Sequence, residues 1–126
     1  MKYNAKKVTV DWHTFDSTVE ADYYRDNKAL IKAIQPKYTL QPEFSKNGKK
    51  FRPVAYVADF ELYDGTVVDI KWMATPEAMI KRKLFEYTHP DKELLWLSFS
   101  KKWGGWVEYD QLIKLRKNAK LLRNTD

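Results

Sequence analysis

Two runs in the middle of the chain carry the apolar and polar alternation of half-buried strands. The first is Phe51 to Leu62 and the second Thr66 to Trp72, both rich in β-branched and aromatic residues. Tyr63, Asp64 and Gly65 lie between them. A three-residue hairpin loop combines a type I turn with a left-handed third residue, and glycine adopts positive φ without steric cost. That register predicts Leu62 opposite Thr66 and Asp59 opposite Asp69. Opposed residues project to one side, and Lys71 follows Asp69 there by the period of two. A two-residue Asp64-Gly65 turn would instead pair Asp59 with Ile70 and send the carboxylates to opposite faces.

The pattern on either side predicts helices and further strands. Val8 to Trp12 reads as a short strand or an arm. Ser17-Thr18-Val19-Glu20 is a capping-box pattern, and Val19, Tyr23, Leu30, Ile31 and Ile34 fit a helix that stops before Pro36. Tyr38 to Phe44 reads as a strand, and Lys46 to Lys50 as a turn at a hairpin tip. Thr75-Pro76 predicts the N-cap and first residue of a helix through about Tyr87, ended by His89-Pro90. Glu93 to Ser100 alternates as a strand with Leu95, Leu97 and Phe99 on one face, and Trp103 to Trp106 reads as a turn. Asp110 is expected to cap a last helix through about Leu122, with Leu112, Ile113, Leu115, Ala119 and Leu122 inward. Helix, three antiparallel strands, helix, strand, helix is an α/β (α+β) order in which helices cover a mixed central sheet.

Composition narrows the chemistry. A chain of 126 residues suits a single domain spanning 1–126 with one core. No run approaches the ~18 apolar residues of a membrane span, and Met1 to Lys7 lacks the apolar stretch of a signal peptide, so a cytoplasmic protein without a membrane partner is expected. Having no cysteine, the chain has no disulfides, thiolate metal sites or thiol nucleophiles. His13 and His89 are its only histidines, and each is read as serving local structure. A net charge of +6 and a pI near 9.4 suit a polyanionic partner.

Asp59, Asp69 and Lys71 are the candidate chemistry. Acids and lysines on the wet face of a sheet are ordinary. Yet aspartate is depleted in strands, and two facing carboxylates repel unless a cation lies between them. The residues alone leave a metal site and a solvated sheet face as open alternatives.

Further stretches add a resemblance. Phe15 to Tyr24, Leu40-Gln41-Pro42 through Phe51, Tyr56 to Phe60, Val67 to Lys71, and Lys81 to Tyr87 with Pro90-Asp91 follow one another across roughly residues 8 to 97. In these the chain resembles the PD-(D/E)XK nuclease superfamily, and within it a family of short phage-encoded proteins, often described as a domain of unknown function and grouped with Holliday junction resolvase-like endonucleases. The resemblance implies a restriction-endonuclease-like core. It also implies Asp59 as the central metal ligand, Asp69 as the variable acid, Lys71 as the motif lysine and Glu20 as an acid from the first helix. Asp69 in place of Glu shortens that ligand's reach. Phosphodiester hydrolysis calls for a hard divalent cation. Mg²⁺, with Mn²⁺ as a substitute, suits Asp59, Asp69, the Ile70 carbonyl and Glu20. Glu20 has a second explanation in the capping box.

The expectation is therefore a Mg²⁺-dependent endonuclease that cuts branched DNA such as a four-way junction during phage recombination or replication. Two coordinated cuts imply a homodimer. Nicking, flap and restriction-like enzymes of the same superfamily, and a non-catalytic DNA-binding module, remain alternatives. Lys46, Lys49, Lys50, Lys81, Lys83, Lys101 and Lys102 are candidate DNA contacts that would bind without reading sequence.

Overall fold

The structure is a computed structural model and describes residues 6–124. A hairpin of β1 (Val8–Val10) and β2 (His13–Phe15) leads into α1 (Thr18–Asn27). Ser17 caps that helix, its Oγ accepting from the Glu20 amide at 3.2 Å, as the capping pattern predicts. The helix does not continue to Ile34. After a 3-10 turn at Lys28–Leu30 the chain enters β3 (Ile31–Ile34). Ile31 and Ile34 fit a helical stripe by spacing, but pairing with a later strand outweighs that local signal.

From β3 the chain builds a long two-stranded ribbon and returns along it. Outward run β4 (Lys37–Gln41) and β5 (Phe44–Lys46); inward run β6 (Lys49–Phe51), β7 (Val54–Val57) and β8 (Phe60–Leu62). The pairs Ile34↔Phe60, Tyr38↔Tyr56, Phe44↔Phe51 and Lys46↔Lys49 follow one another down to a tip at Asn47-Gly48. The expected strands Tyr38 to Phe44 and Phe51 to Leu62 are thus broken. Pro42 and Pro53 interrupt both near the tip because proline has no amide to donate. A second bend falls at Ala58–Asp59, where β7 leaves the sheet that β8 joins.

Between β8 and β9 (Val67–Ile70) the register closes a three-residue loop, Tyr63 to Gly65, with Leu62 opposite Thr66 as predicted. Phe60 pairs with Val68 and Glu61 with Val67. Leu62 donates its amide to Thr66 at 2.8 Å, Gly65 donates to the Leu62 carbonyl at 3.0 Å, and Gly65 takes φ +94°. Helix α2 (Pro76–Thr88) then crosses to β10 (Leu94–Ser100), with Thr75 capping the Ala78 amide at 3.1 Å. The expected turn at Trp103 to Trp106 resolves into a 3-10 turn at Lys101–Trp103 and β11 (Gly105–Glu108), and α3 (Tyr109–Arg123) ends the described chain.

The central sheet has five strands in the order β11-β10-β9-β8-β3. Strands β9 and β10 are parallel and the other neighbours antiparallel, so the sheet is mixed. This mixed α+β architecture, with three helices, is compatible with a nuclease-like core. Alternation along β9 divides the interior in two. Val68 and Ile70 join Phe15, Ala21, Tyr23, Tyr24 and Phe60 under α1, whereas Val67 joins Tyr38, Leu40, Tyr56 and Phe85 under α2.

Two expectations about side chains change here. On β10 the deeply buried residues are Trp96 and Ser98, while Phe99, expected to share a face with Leu95 and Leu97, is 45% exposed. The strand is interior and covered on both sides, so polarity alternation does not mark one wet face. Asp110 is not the cap of α3. It lies in the first turn, bonded through both oxygens to Arg82, while Tyr109 and Leu112 supply the buried stripe and Ile113 and Leu122 face outward. Among the described residues no helix is long and apolar enough to cross a membrane.

Candidate active site

The period of two on β9 sends Asp69 to the α2 side of the sheet. It is 5% exposed, and its Oδ2 accepts from the Tyr56 hydroxyl at 2.6 Å and lies 3.0 Å from Lys71 Nζ. Parallel pairing sets Trp96 of β10 beside Asp69, and the Trp96 indole donates to the Tyr56 hydroxyl at 2.7 Å. A chain of donors thus runs from Trp96 through Tyr56 to Asp69. Burial, together with the Asp69 and Asp59 carboxylates, raises the Tyr56 pKa far above the ordinary tyrosine value. The hydroxyl is therefore a fixed donor at neutral pH.

Lys71 follows the end of β9, with its side chain 20% exposed. Its amide donates to Leu97 at 2.7 Å, and its carbonyl accepts from Ser98 Oγ at 2.5 Å. The ammonium also sits 5.0 Å from the Trp96 ring centroid. Main chain, ring and carboxylate together hold the lysine at the mouth of the site.

Asp59 occupies the bend between β7 and β8. Its carbonyl accepts from Gln35 at 2.9 Å and its amide donates to Val68 at 3.1 Å, fixing the backbone from both sides. Its Oδ2 accepts from the Ile70 amide at 2.7 Å. Because β7 turns away from the sheet here, the carboxylate takes up the amide of Ile70 that the departing strand leaves. Asp59 and Asp69 thus meet the same strand end, one through the main chain of Ile70 and one from the strand itself.

A pocket of about 180 Å³ opens beside this end, lined by Tyr56, Val57, Asp69, Lys71, Thr75, Glu77, Ala78 and Lys81. Glu77 and Lys81 form an ion pair at 3.6 Å along α2. Glu20, 3% exposed, stands on α1, the helix whose Ala21, Tyr23 and Tyr24 pack on the sheet face opposite Asp69. Among the described residues no group of three or more His, Cys, Asp or Glu side chains is placed to hold a metal ion. Two carboxylates with a neighbouring carbonyl still match what Mg²⁺ takes from a protein, since that ion binds through one or two carboxylates and keeps several waters. The donor chemistry of Asp59, Asp69 and the Ile70 carbonyl therefore fits Mg²⁺ as the resemblance implies.

The basic candidates separate by position. Lys46, Lys49 and Lys50 sit at the ribbon tip, Lys83 is exposed on α2, and Lys101 and Lys102 follow β10 on the surface. Lys81 alone of the set lines the pocket. Arg82, its neighbour, is committed inward, stacked 4.3 Å over the Trp96 ring and paired with Asp110. His89 stacks on Phe85 with ring centroids 4.8 Å apart, and His13 lies against Tyr24, both local structural contacts as expected. Trp106 packs edge-on against Tyr23 in the α1 core.

Tyr56, Trp96, Thr75 and Glu77 are the site neighbours that sequence reasoning missed. Tyr56 stands three residues before Asp59 on the predicted hairpin, so its strand was legible, but Trp96 reaches it only through the parallel β9 and β10 pairing. A model of a protein family described as a protein of unknown function (DUF1064) matches residues 1–105, which takes in every residue of the site. No curated protein and no solved structure matches the chain.

Proposed function

We propose that this chain, which belongs to the DUF1064 family of proteins of unknown function, is a metal-dependent endodeoxyribonuclease of the PD-(D/E)XK superfamily. The observation that carries the reading is the Asp69 and Lys71 pair at 3.0 Å, at a strand end where Asp59 holds the Ile70 amide. An acid, a second acid across a hairpin and a lysine two residues on are what the superfamily's chemistry requires. A mixed sheet with helices on both faces supports it further.

Asp59 and Asp69, with the Ile70 carbonyl, would hold Mg²⁺ or Mn²⁺. The ion supplies positive charge against a nonbridging phosphate oxygen and acidifies a water. Tyr56 and Trp96 keep the Asp69 carboxylate turned to one orientation. Lys71, anchored by Ser98 and Leu97, orients the attacking water and offsets charge that builds on the phosphate in the transition state. Thr75, Glu77 and Lys81 form the wall across from it. Glu20 belongs to the proposal as an acid contributed from α1 through water or beside a second ion.

The substrate proposed is branched DNA, with a four-way junction in first place, met in the cytoplasm, that of the host if the protein is phage-encoded. Two coordinated cuts make a homodimer the proposed active form. Exposed Ile80, Leu84 and Tyr87, spaced on one outer stripe of α2, supply an apolar surface for it. The test is cleavage of a four-way junction with and without Mg²⁺ by the wild type and by Asp59→Ala. The expected result is Mg²⁺-dependent cutting that Asp59→Ala abolishes while junction binding survives. Equal cutting of junction, flap, nick and linear duplex would replace the resolvase reading with a less selective nuclease. An Asp59→Ala variant indistinguishable from wild type in every assay would leave a non-catalytic DNA-binding module.

A further inference from the structure

The ribbon built by β4 to β7 has a body and a tip of different character. Its inner half, with Tyr38, Leu40 and Tyr56, is packed under α2. From Gln41 through the tip to Lys50 every residue is exposed. The six residue-to-residue steps of extended chain from Gln41 to Asn47 reach up to roughly 20 Å. The domain therefore presents a two-stranded arm whose tip it does not use for its own core.

The tip has two unlike faces, because opposed residues share a side. On one face lie the pairs Phe44↔Phe51 and Lys46↔Lys49, and on the other Ser45↔Lys50. The phenyl rings stack with centroids 4.7 Å apart and planes within 8°. Such a cross-strand aromatic pair stiffens a short ribbon, and the Asn47-Gly48 turn, with φ +53° and +74°, suits the right-handed twist of its strands. Lys50, on the other face, is paired with Glu43 at 3.5 Å. Lys46 and Lys49 face each other at the very tip, where like charges destabilise a ribbon. Lys49 leans over the Phe51 ring at 5.2 Å, which keeps its charge on that same face. The cost of opposing two ammonium groups is offset when an anion lies between them.

We propose that this tip is a phosphate-gripping arm for duplex DNA, in which the Lys46 and Lys49 face docks on the backbone of the substrate away from the cleavage site. Charge complementarity selects the partner, and a two-stranded ribbon is narrow enough to follow a major groove. Lysines are point charges and read no base pattern, so the arm contributes affinity and orientation and leaves sequence unread. Phe44 and Phe51 keep the two lysines on one side. The arm rests on the nuclease reading for its role, since it names the duplex part of that substrate.

The test measures binding to a linear DNA duplex by fluorescence anisotropy over a range of salt, in EDTA so that no strand is cut. Wild type is compared with the Lys46→Gln, Lys49→Gln double variant, with Lys50→Gln and with Lys49→Glu. Each lost phosphate contact lowers the magnitude of the log K against log salt slope by about 0.9, so the double variant falls by roughly 1.8. Lys50→Gln leaves the slope unchanged. Lys49→Glu, which sets opposite charges across the strands and so favours the folded ribbon, still binds more weakly than wild type, separating lost contact from lost fold. An unchanged slope in the double variant, or an equal drop with Lys50→Gln, overturns the arm while Mg²⁺-dependent cleavage by the wild type would stand. The expected slopes with no cleavage under Mg²⁺ keep the arm and remove the nuclease. A wild type that does not bind DNA overturns both.

Discussion

Asp69 depends on two donors that differ in kind. Lys71 supplies charge and Tyr56 supplies a fixed hydroxyl, itself fixed by Trp96. Tyr56→Phe removes that hydroxyl and leaves the buried Trp96 indole without its acceptor. The expected loss is about 1–3 kcal/mol, read from urea unfolding. Lys71→Met is expected to abolish Mg²⁺-dependent cleavage while leaving DNA affinity within about threefold of wild type, since one lysine is a small part of a backbone-tracking surface. The raised Tyr56 pKa gives a pH dependence with a definite sign. Unfolded tyrosine ionises near pH ~10, whereas the folded residue keeps its proton, so this contribution is whole below that value and lost as pH climbs through the folded pKa. Wild type should lose stability above pH ~10 more steeply than Tyr56→Phe. Asp110 acts at the other end of the scale: the Arg82 hydrogen bonds hold its pKa below the ordinary aspartate value. Its contribution is present above pH ~4 and fades as the carboxylate takes up a proton below that.

Elements were legible where a local signal and the tertiary fold agreed. The Ser17 and Thr75 caps and the Gly65 loop stand where composition places them, because each answers a backbone need that is local. The tight loop gives a direct test: Gly65→Ala puts a Cβ on a residue at φ +94° and should cost about 1 kcal/mol or more by thermal or urea denaturation. Prediction went astray where a segment's partner lay far off in the chain. Ile31 to Ile34 carries helical spacing and becomes an edge strand because β8 is there to pair with it. The run from Phe51 to Leu62 alternates as one strand, yet it serves three sheets, broken at Pro53 and bent at Asp59 to do so. That bend matters for the site, since it turns Asp59 from a plain ladder residue into the acceptor for Ile70. Phe85, buried between Tyr38, Tyr56 and His89, is the bolt by which α2 holds the ribbon. Phe85→Ala should cost about 3–5 kcal/mol and loosen the pocket with it.

At the scale of the molecule, one sheet separates two apolar layers, one under α1 and one under α2. Val67 and Asp69 face the α2 layer while Val68 and Ile70 face the α1 layer, and no period count along the chain says which helix covers which side. The surface leaves a separate prediction. If Ile80, Leu84 and Tyr87 of α2 are covered by a second copy, sedimentation equilibrium should find a dimer, and Leu84→Asp should return it to monomer. A monomeric wild type at all accessible concentrations would remove the symmetric two-cut proposal. What the sequence by itself determined was the α+β class, the starts of α1 and α2, the three-residue loop and, through it, the side on which Asp69 and Lys71 emerge. These follow from periodicity, capping and turn chemistry, which act over a few residues. Tertiary structure alone decided that β9 and β10 run parallel, that Trp96 and Tyr56 stand behind Asp69, that Asp59 sits in a bend, and that the tip beyond Pro42 and Pro53 stands clear of the core. Each of those depends on which distant segments bury each other's apolar faces, and hydrophobic burial carries no direction along the chain.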